Sequence, residues 1–244
     1  MKNNKWKYSN EGYVTTVIDN SCLDWSTRYL GVLSKVDHQF VAPFCLDDSH
    51  PFVDPHGNFR GPFSIRRRCM HGKYVHSYAF DYLEQFWKNY DSQSKFSLVM
   101  LNEGHESTGE VIGLVDDDLY LMLNRQYKDN LLDNTAIIFL SDHGLHMGVY
   151  YMLNTYSGRL ENKLPLLDIV LPTKFLKEYP EVEQNLKLNE QKLVTGPDIY
   201  ETLEHLMQYP KKSIKVYNGE SLLTNIPSRD CDSAKINHEF CACK

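Results

Sequence analysis

Residues 134–144 read Asn-Thr-Ala-Ile-Ile-Phe-Leu-Ser-Asp-His-Gly, an apolar run that stops abruptly at a polar corner. A short apolar run bounded by turn residues is typical of a buried strand in a parallel sheet covered on both faces. Asp142 and His143 follow this strand, and ligands of open α/β sheets bind outside the carboxyl ends of the strands. A carboxylate oxygen beside an imidazole nitrogen suits zinc or manganese. The alternative is a surface turn in which Asp142 caps the next segment and His143 is solvated.

A second buried strand is predicted over residues 96–101, and it ends in Asn102-Glu103-Gly104-His105. The apolar period over residues 109–127 predicts a helix between this strand and the strand that ends at the Asp-His corner. A strand, a helix and a strand in this order indicate a βαβ unit with a right-handed crossover. If the two strands are neighbours, His105 faces the same crevice as the Asp-His corner. The alternative is that His105 caps the helix after it. His146, just beyond the corner, is expected to pack the loop.

The rest of the chain predicts one large α/β domain followed by a tail. The apolar patterns predict further strands and helices over residues 13–18, 76–90, 164–171, 173–179, 181–193 and 198–208. Residues 149–163 are expected to form a polar loop, and residues 31–72 an irregular segment with surface histidines. His205 is expected at the surface. The fold class is α/β with a mostly parallel sheet and helices on both faces, in a domain over residues 1–210 and a cysteine-containing tail over 211–244.

Composition excludes several classes of protein. The 244 residues carry a formal net charge of −6, and no basic run is long enough to indicate nucleic-acid binding. No apolar run reaches the length of a transmembrane helix. The amino-terminal residues of this chain lack the apolar core of a signal peptide. The six cysteines are either free thiols of a cytosolic protein or disulfides of an oxidising compartment.

Motifs along nearly the whole chain resemble one family. Ser-Asp-His-Gly after a strand resembles the metal-binding motif of the alkaline phosphatase and sulfatase superfamily. Its sulfatase-like domain-of-unknown-function family 229 is matched in order by five further segments: Gly12-Tyr13-Val14-Thr15, Asn102-Glu103-x-His105, Leu131-Leu132-Asp133-Asn134-Thr135, Gly158-Arg159-Leu160-Glu161-x-x-Leu164-Pro165 and Cys231…Cys241-x-Cys243. The ordered set is far more specific than any single motif.

The resemblance implies an alkaline-phosphatase-like fold and a metal-dependent hydrolase of phosphate or sulfate esters. It implies a divalent metal, zinc, manganese or calcium, held by Asp142, His143 and His105. Arg159 and Lys163 are candidate contacts to the ester oxyanion, although Arg159 suits a surface ion pair with Glu161 or Glu178 equally well.

The resemblance also implies a secretory-pathway or extracellular protein. It therefore favours disulfides over free thiols at Cys45, Cys69, Cys231, Cys241 and Cys243. The oligomeric state and the exact substrate are not predicted.

Two departures from the family limit the expected activity. The family's first strand, which carries the nucleophile and an aspartate, has no counterpart here, so the catalytic nucleophile is unknown and the sheet is incomplete at the N-terminus. The acidic pair after the Gly-Tyr-x-Thr strand is Asp19 and Asn20, so one carboxylate is lost, and Asp19 suits a helix cap better than a ligand. We therefore expect the C-terminal portion of a sulfatase-like protein, inactive alone. The alternative is a non-catalytic, secreted binding module.

Overall fold

A computed structural model describes residues 7–20, 36–41, 69–105, 109–212 and 218–242. The chain divides into two compact units. Unit 1 consists of Met1–Leu131 and Leu145–Asn162, and unit 2 consists of Leu132–Gly144 and Lys163–Lys244. No helix among the described residues combines the length and the apolar character needed to cross a membrane.

Unit 1 contains a parallel sheet built around one buried strand. The strands of unit 1 are β1 (Val14–Asp19), β2 (His38–Phe40), β3 (Cys69–Met70), β4 (Lys73–Tyr74) and β5 (Lys95–Met100). β1 lies between β2 and β5 and pairs with both in parallel, while β3 and β4 form a small antiparallel pair. β1 is almost wholly buried, which explains its apolar and β-branched composition. The predicted α/β class with a mostly parallel sheet is confirmed.

Unit 1 also contains five of the described helices. They are α1 (Lys7–Asn10), α2 (Val75–Asn89), α3 (Gly113–Lys128), α4 (Val149–Met152) and α5 (Tyr156–Lys163). Phe80 of α2 packs against Val115 and Met122 of α3, so the predicted helical periods reflect real packing. α3 begins at Gly113, later than predicted, after turns that include Gly109 at a φ of +73°.

The polar loop predicted over residues 149–163 was wrong, because α4 and α5 occupy it. The Thr155 hydroxyl oxygen accepts a bond from the Gly158 N–H at 3.1 Å and so caps the start of α5. A Cβ at Gly158 would lie 2.5 Å from the Tyr150 carbonyl oxygen. Gly158 therefore lets the two short helices approach closely. Neither signal depends on hydrophobic period, which is why the pattern analysis missed both helices.

Unit 2 places the apolar run of the Asp-His corner in an antiparallel pair. β6 (Ile137–Leu140) pairs with β7 (Leu167–Val170). The predicted buried parallel strand was therefore wrong in its pairing, and its residues are half-buried or exposed. Among the described residues no ladder joins β6 to β5, so the predicted βαβ unit is not formed by hydrogen-bonded neighbours. A short apolar run indicates a strand but does not specify its partner or direction.

Three helices and the tail form the core of unit 2. The helices are α6 (Thr173–Glu178), α7 (Pro180–Asn189) and α8 (Gly196–Gln208). Leu171, Val182 and Leu223 form a buried cluster, so the irregular residues from 218 onward contribute to this core. A Cβ at Gly219 would lie 2.2 Å from the carbonyl oxygen of Pro197 in α8. The tail therefore runs directly against the helix backbone.

Candidate functional site

The Asp-His corner lies at the end of β6 with a defined hydrogen-bond geometry. Ser141 fixes it to the start of β7, since its N–H donates to the Leu166 carbonyl oxygen at 3.1 Å and its hydroxyl oxygen accepts from the Leu166 N–H at 2.8 Å. Asp142 Oδ1 accepts from the His143 N–H at 3.1 Å. His143 Nδ1 lies 2.8 Å from the Gly144 carbonyl oxygen. A carbonyl oxygen only accepts, so Nδ1 is the donor of this bond.

The donor atoms of this corner suit a shared cation. His143 Nε2 lies 3.6 Å from Asp142 Oδ2, and two ligands of a tetrahedral zinc ion with bonds of about 2.0–2.1 Å lie roughly 3.3 Å apart. The side chain of Asp142 is 88% exposed and that of His143 is 41% exposed. The corner is thus accessible to ions from solvent. It supplies two donor atoms, whereas zinc in proteins takes about four ligands.

His105 lies in unit 1, at the end of the turn that follows β5. This turn, Asn102–Gly104, is a 3-10 helix, and the His105 N–H donates to the Asn102 carbonyl oxygen at 3.0 Å. The imidazole of His105 lies beside that of His146, with ring centroids 5.3 Å apart and planes tilted by 46°. Within neither unit do the described residues gather three or more His, Cys, Asp or Glu side chains as a metal-binding group. The triad of Asp142, His143 and His105 stays a prediction.

A buried polar network holds the turn that carries His105, and the sequence analysis missed it. The Asn20 side chain accepts from the Asn102 N–H through Oδ1 at 2.7 Å. Its Nδ2 donates to both carboxylate oxygens of Glu103, at 3.0 and 2.9 Å. Asn20 and Glu103 are 6% and 9% exposed. Asn20, where the family has a second carboxylate, is therefore the amide partner of the Glu103 carboxylate in the 3-10 turn that follows β5.

The network continues through His76 at the start of α2. His76 Nδ1 lies 3.1 Å from Glu103 Oε1, and its Nε2 lies 3.1 Å from Asp118 Oδ2 in α3. Ser77 donates a further bond to Asp118. The ends of β1 and β5 and the helices α2 and α3 are thereby joined through side chains. Asp19, expected as a ligand or a cap, is fully buried.

The two candidate oxyanion contacts both make bonds to the protein. Arg159 donates from one guanidinium nitrogen to the Asn154 carbonyl oxygen at 2.6 Å and to Asn154 Oδ1 at 3.0 Å. Lys163 Nζ donates to the Cys241 carbonyl oxygen at 3.1 Å. These bonds fix Arg159 near the start of α5 and attach Lys163 to the tail of unit 2. Contact of either cation with an ester stays a prediction.

The cysteine predictions have mixed outcomes. Cys231 and Cys241 form a disulfide with a Cα–Cα distance of 5.9 Å, as predicted. Cys69 is an exposed free cysteine in the short β3 strand, so its assignment as a disulfide candidate was wrong. Cys45 and Cys243 lie outside the described residues.

The prediction that His205 lies at the surface was also wrong. His205 is 5% exposed, and its Nδ1 lies 2.8 Å from the Ser221 hydroxyl oxygen. Burial lowers the pKa of His205 below its ordinary value, an effect only partly opposed by a backbone hydrogen bond with Lys211. The apolar period of α8 had placed this position outside the packed face, but the tail covers it.

Comparison with known proteins supplies the context for these geometries. The profile of a family described as "Protein of unknown function (DUF229)" matches residues 55–244. A protein of Caenorhabditis elegans named "Putative extracellular sulfatase Sulf-1 homolog" is 32% identical over 119 residues, which cover 49% of this chain and 15% of the relative. The chain thus spans a small part of the length of that relative. No solved structure matches the chain.

Proposed function

Because the chain belongs to the sulfatase-like DUF229 family, we propose that it contributes part of the metal site of a hydrolase that cleaves sulfate or phosphate esters. The observation that carries the proposal is the Asp142–His143 corner, where a carboxylate oxygen and an imidazole nitrogen lie 3.6 Å apart in an accessible loop. Similarity to a protein whose name denotes an extracellular sulfatase supports a sulfate ester as the substrate class.

In this proposal Asp142, His143 and His105 hold a divalent cation, zinc, manganese or calcium. When bound, such an ion polarises an ester oxygen and stabilises the negative charge of the transition state. The protein's own contribution is to hold the two donor atoms at the end of β6. The bond from His143 Nδ1 to the Gly144 carbonyl oxygen orients the imidazole whose Nε2 would bind the ion.

We propose further that turnover by this chain alone is slow. Two-metal ester hydrolysis requires ions that contact both the attacking and the leaving oxygen. The Asp-His corner supplies two ligands, whereas zinc in proteins takes about four. The activity of a longer protein containing this chain is expected to exceed that of the chain alone.

The test is an assay of the purified chain with nitrophenyl sulfate and nitrophenyl phosphate in the presence of zinc, manganese or calcium. Metal-dependent turnover that disappears in His143→Ala supports hydrolysis by this chain. His238→Ala is a matched control, because His238 is an exposed histidine of the same unit. Turnover equal in the wild type and His143→Ala refutes the assignment of His143.

The second candidate is a non-catalytic, secreted sulfatase-like binding module. The disulfide between Cys231 and Cys241 favours an oxidising compartment for either candidate. The 88% exposure of the Asp142 side chain favours a weakly binding corner and therefore the second candidate. Calorimetric titration of the wild type and His143→Ala with zinc discriminates the two, because tight binding of one ion per chain that is lost in His143→Ala contradicts a degenerate corner.

A further inference from the structure

We propose that His105 and His146 form a two-histidine binding site for a zinc-class cation that does not require the Asp142–His143 corner. This proposal takes His105 out of the ligand set of the proposed function, which keeps Asp142 and His143, and it replaces the packing role expected for His146. Both histidines belong to unit 1, so the site rests on geometry within a single compact unit.

The distance between the two rings fits a shared ion. Two imidazoles bound to one zinc ion through bonds of about 2.0–2.1 Å at a tetrahedral angle bring their ring centroids to roughly 5 Å. The centroids of His105 and His146 lie 5.3 Å apart, and the 46° tilt between the planes keeps the rings from stacking face to face. Imidazole nitrogen is a preferred ligand of zinc, copper and nickel.

The turn that carries His105 and the ring of His146 are held in place before any ion binds. His105 ends a 3-10 turn that the Asn20 side chain holds at two points. The Asn20 amide oxygen accepts from the first N–H of the turn, that of Asn102, and the Asn20 amide nitrogen donates to the Glu103 carboxylate. The His146 ring packs edge-on against Tyr151 in α4, with centroids 6.3 Å apart and planes at 85°. Groups that are already ordered lose little conformational entropy on binding. Two fixed imidazoles should therefore bind a cation better than two exposed histidines on mobile loops.

The ligand set predicts the type of site. Two protein nitrogens leave about two positions of a tetrahedral ion open to water or to an anionic ligand. Both residues are half-buried, and the Nδ1 atom of His105 is itself buried. Soft and borderline cations such as zinc, cobalt and copper are expected to bind, whereas calcium and magnesium prefer oxygen ligands and are expected to bind poorly.

The experiment titrates the metal-free full chain with Zn²⁺ and follows the histidine side-chain signals by ¹⁵N-edited NMR. We expect the His105 and His146 signals to shift together. His105→Gln and His146→Gln should each weaken Zn²⁺ binding at this pair at least tenfold, and His143→Gln should leave it unchanged. His71→Asn is the control, because His71 is an exposed histidine of unit 1 at a φ of +50° that asparagine tolerates.

The outcomes separate this site from the proposed function. If His146→Gln, or His146→Asn should the first variant fail to fold, binds Zn²⁺ like the wild type, the His105–His146 site is refuted. If only His143→Gln loses binding, the corner binds alone and the pair is refuted. If substitutions at all three positions abolish binding equally, one shared site exists and the claim of independence is refuted. A shift of both ring signals that persists in His143→Gln supports the proposal.

Discussion

Replacing Asn20 with aspartate should destabilise unit 1 strongly, although the two side chains have nearly the same shape. The Asn102 N–H points at Asn20 Oδ1 from 2.7 Å and fixes which atom is the oxygen, so Nδ2 must be the atom that faces Glu103. In Asn20→Asp a carboxylate oxygen would take the place of that donor. Two carboxylates would then face each other in a site where both side chains are buried.

The size of the effect follows from the distances. Nδ2 lies 3.0 and 2.9 Å from the Glu103 oxygens, and like charges about 3 Å apart repel by roughly 5 kcal/mol at an effective dielectric constant of about 20. The substitution also removes hydrogen bonds to a charged group, worth about 1.5–3 kcal/mol. Side-chain movement relieves part of the repulsion. We expect Asn20→Asp to lower the free energy of unfolding by about 3–5 kcal/mol at pH 7.5, and Asn20→Ala by about 1.5–3 kcal/mol.

Urea denaturation followed by tryptophan fluorescence measures this difference, since Trp87 lies in α2 of unit 1. The gap between the two variants should narrow towards pH 5, where a facing carboxyl pair takes up a shared proton. The double variant Asn20→Asp/Glu103→Gln, which exchanges the amide and the carboxylate, should recover more than half of the loss. If Asn20→Asp is no less stable than Asn20→Ala at pH 7.5, the amide–carboxylate contact does not hold this turn.

Three further changes test unit 2. Gly219→Ala would place a Cβ against the backbone of α8 and should cost about 1–3 kcal/mol of stability. A Cβ at Gly196 meets nothing within 4 Å, so Gly196→Ala should be nearly neutral. A urea titration followed by circular dichroism, which detects the helices of unit 2, measures both. Burial lowers the pKa of His205, so the neutral imidazole contributes fully to stability above the unfolded-state pKa of about 6.5, and this contribution is lost as the pH falls. The melting temperature should therefore fall more steeply below pH 6.5 in the wild type than in His205→Gln. Parallel profiles of melting temperature against pH would contradict this role of His205. The double variant Cys231→Ser/Cys241→Ser removes the disulfide between two residues that are 10 apart in sequence. It should lower the free energy of unfolding by about 2–4 kcal/mol. A reducing agent should destabilise the wild type but not this variant.

Much of the local structure could be predicted from the sequence because hydrophobic period reflects burial. The predicted helix over residues 76–90 and the predicted strands over 13–18 and 96–101 agree with α2, β1 and β5 to within one or two residues. Each of these elements packs one face or both faces against a core, and the pattern of apolar residues records that contact. The position of the polar corner after β6 was predictable for the same reason.

Pairing and burial by distant segments could not be predicted. β6 pairs with β7 in the antiparallel direction, and nothing in four apolar residues distinguishes that partner from a parallel one. His205 is buried because a tail with little periodic pattern lies on α8, where Ser221 supplies its hydrogen-bond partner. In both cases the deciding contact comes from a segment whose position the local sequence does not specify.

Asn20 shows why a site cannot be assessed one residue at a time. By itself, an amide in place of an acidic residue indicates a degenerate site, and it motivated the hypothesis of a non-catalytic module. Next to Glu103, the same amide satisfies a buried carboxylate and a backbone N–H at once, and a buried polar network stabilises a single conformation only when its members are paired. The turn that carries His105 is therefore organised, whereas the Asp142 side chain is 88% exposed. It follows that the amide at position 20 does not by itself indicate a degenerate turn around His105.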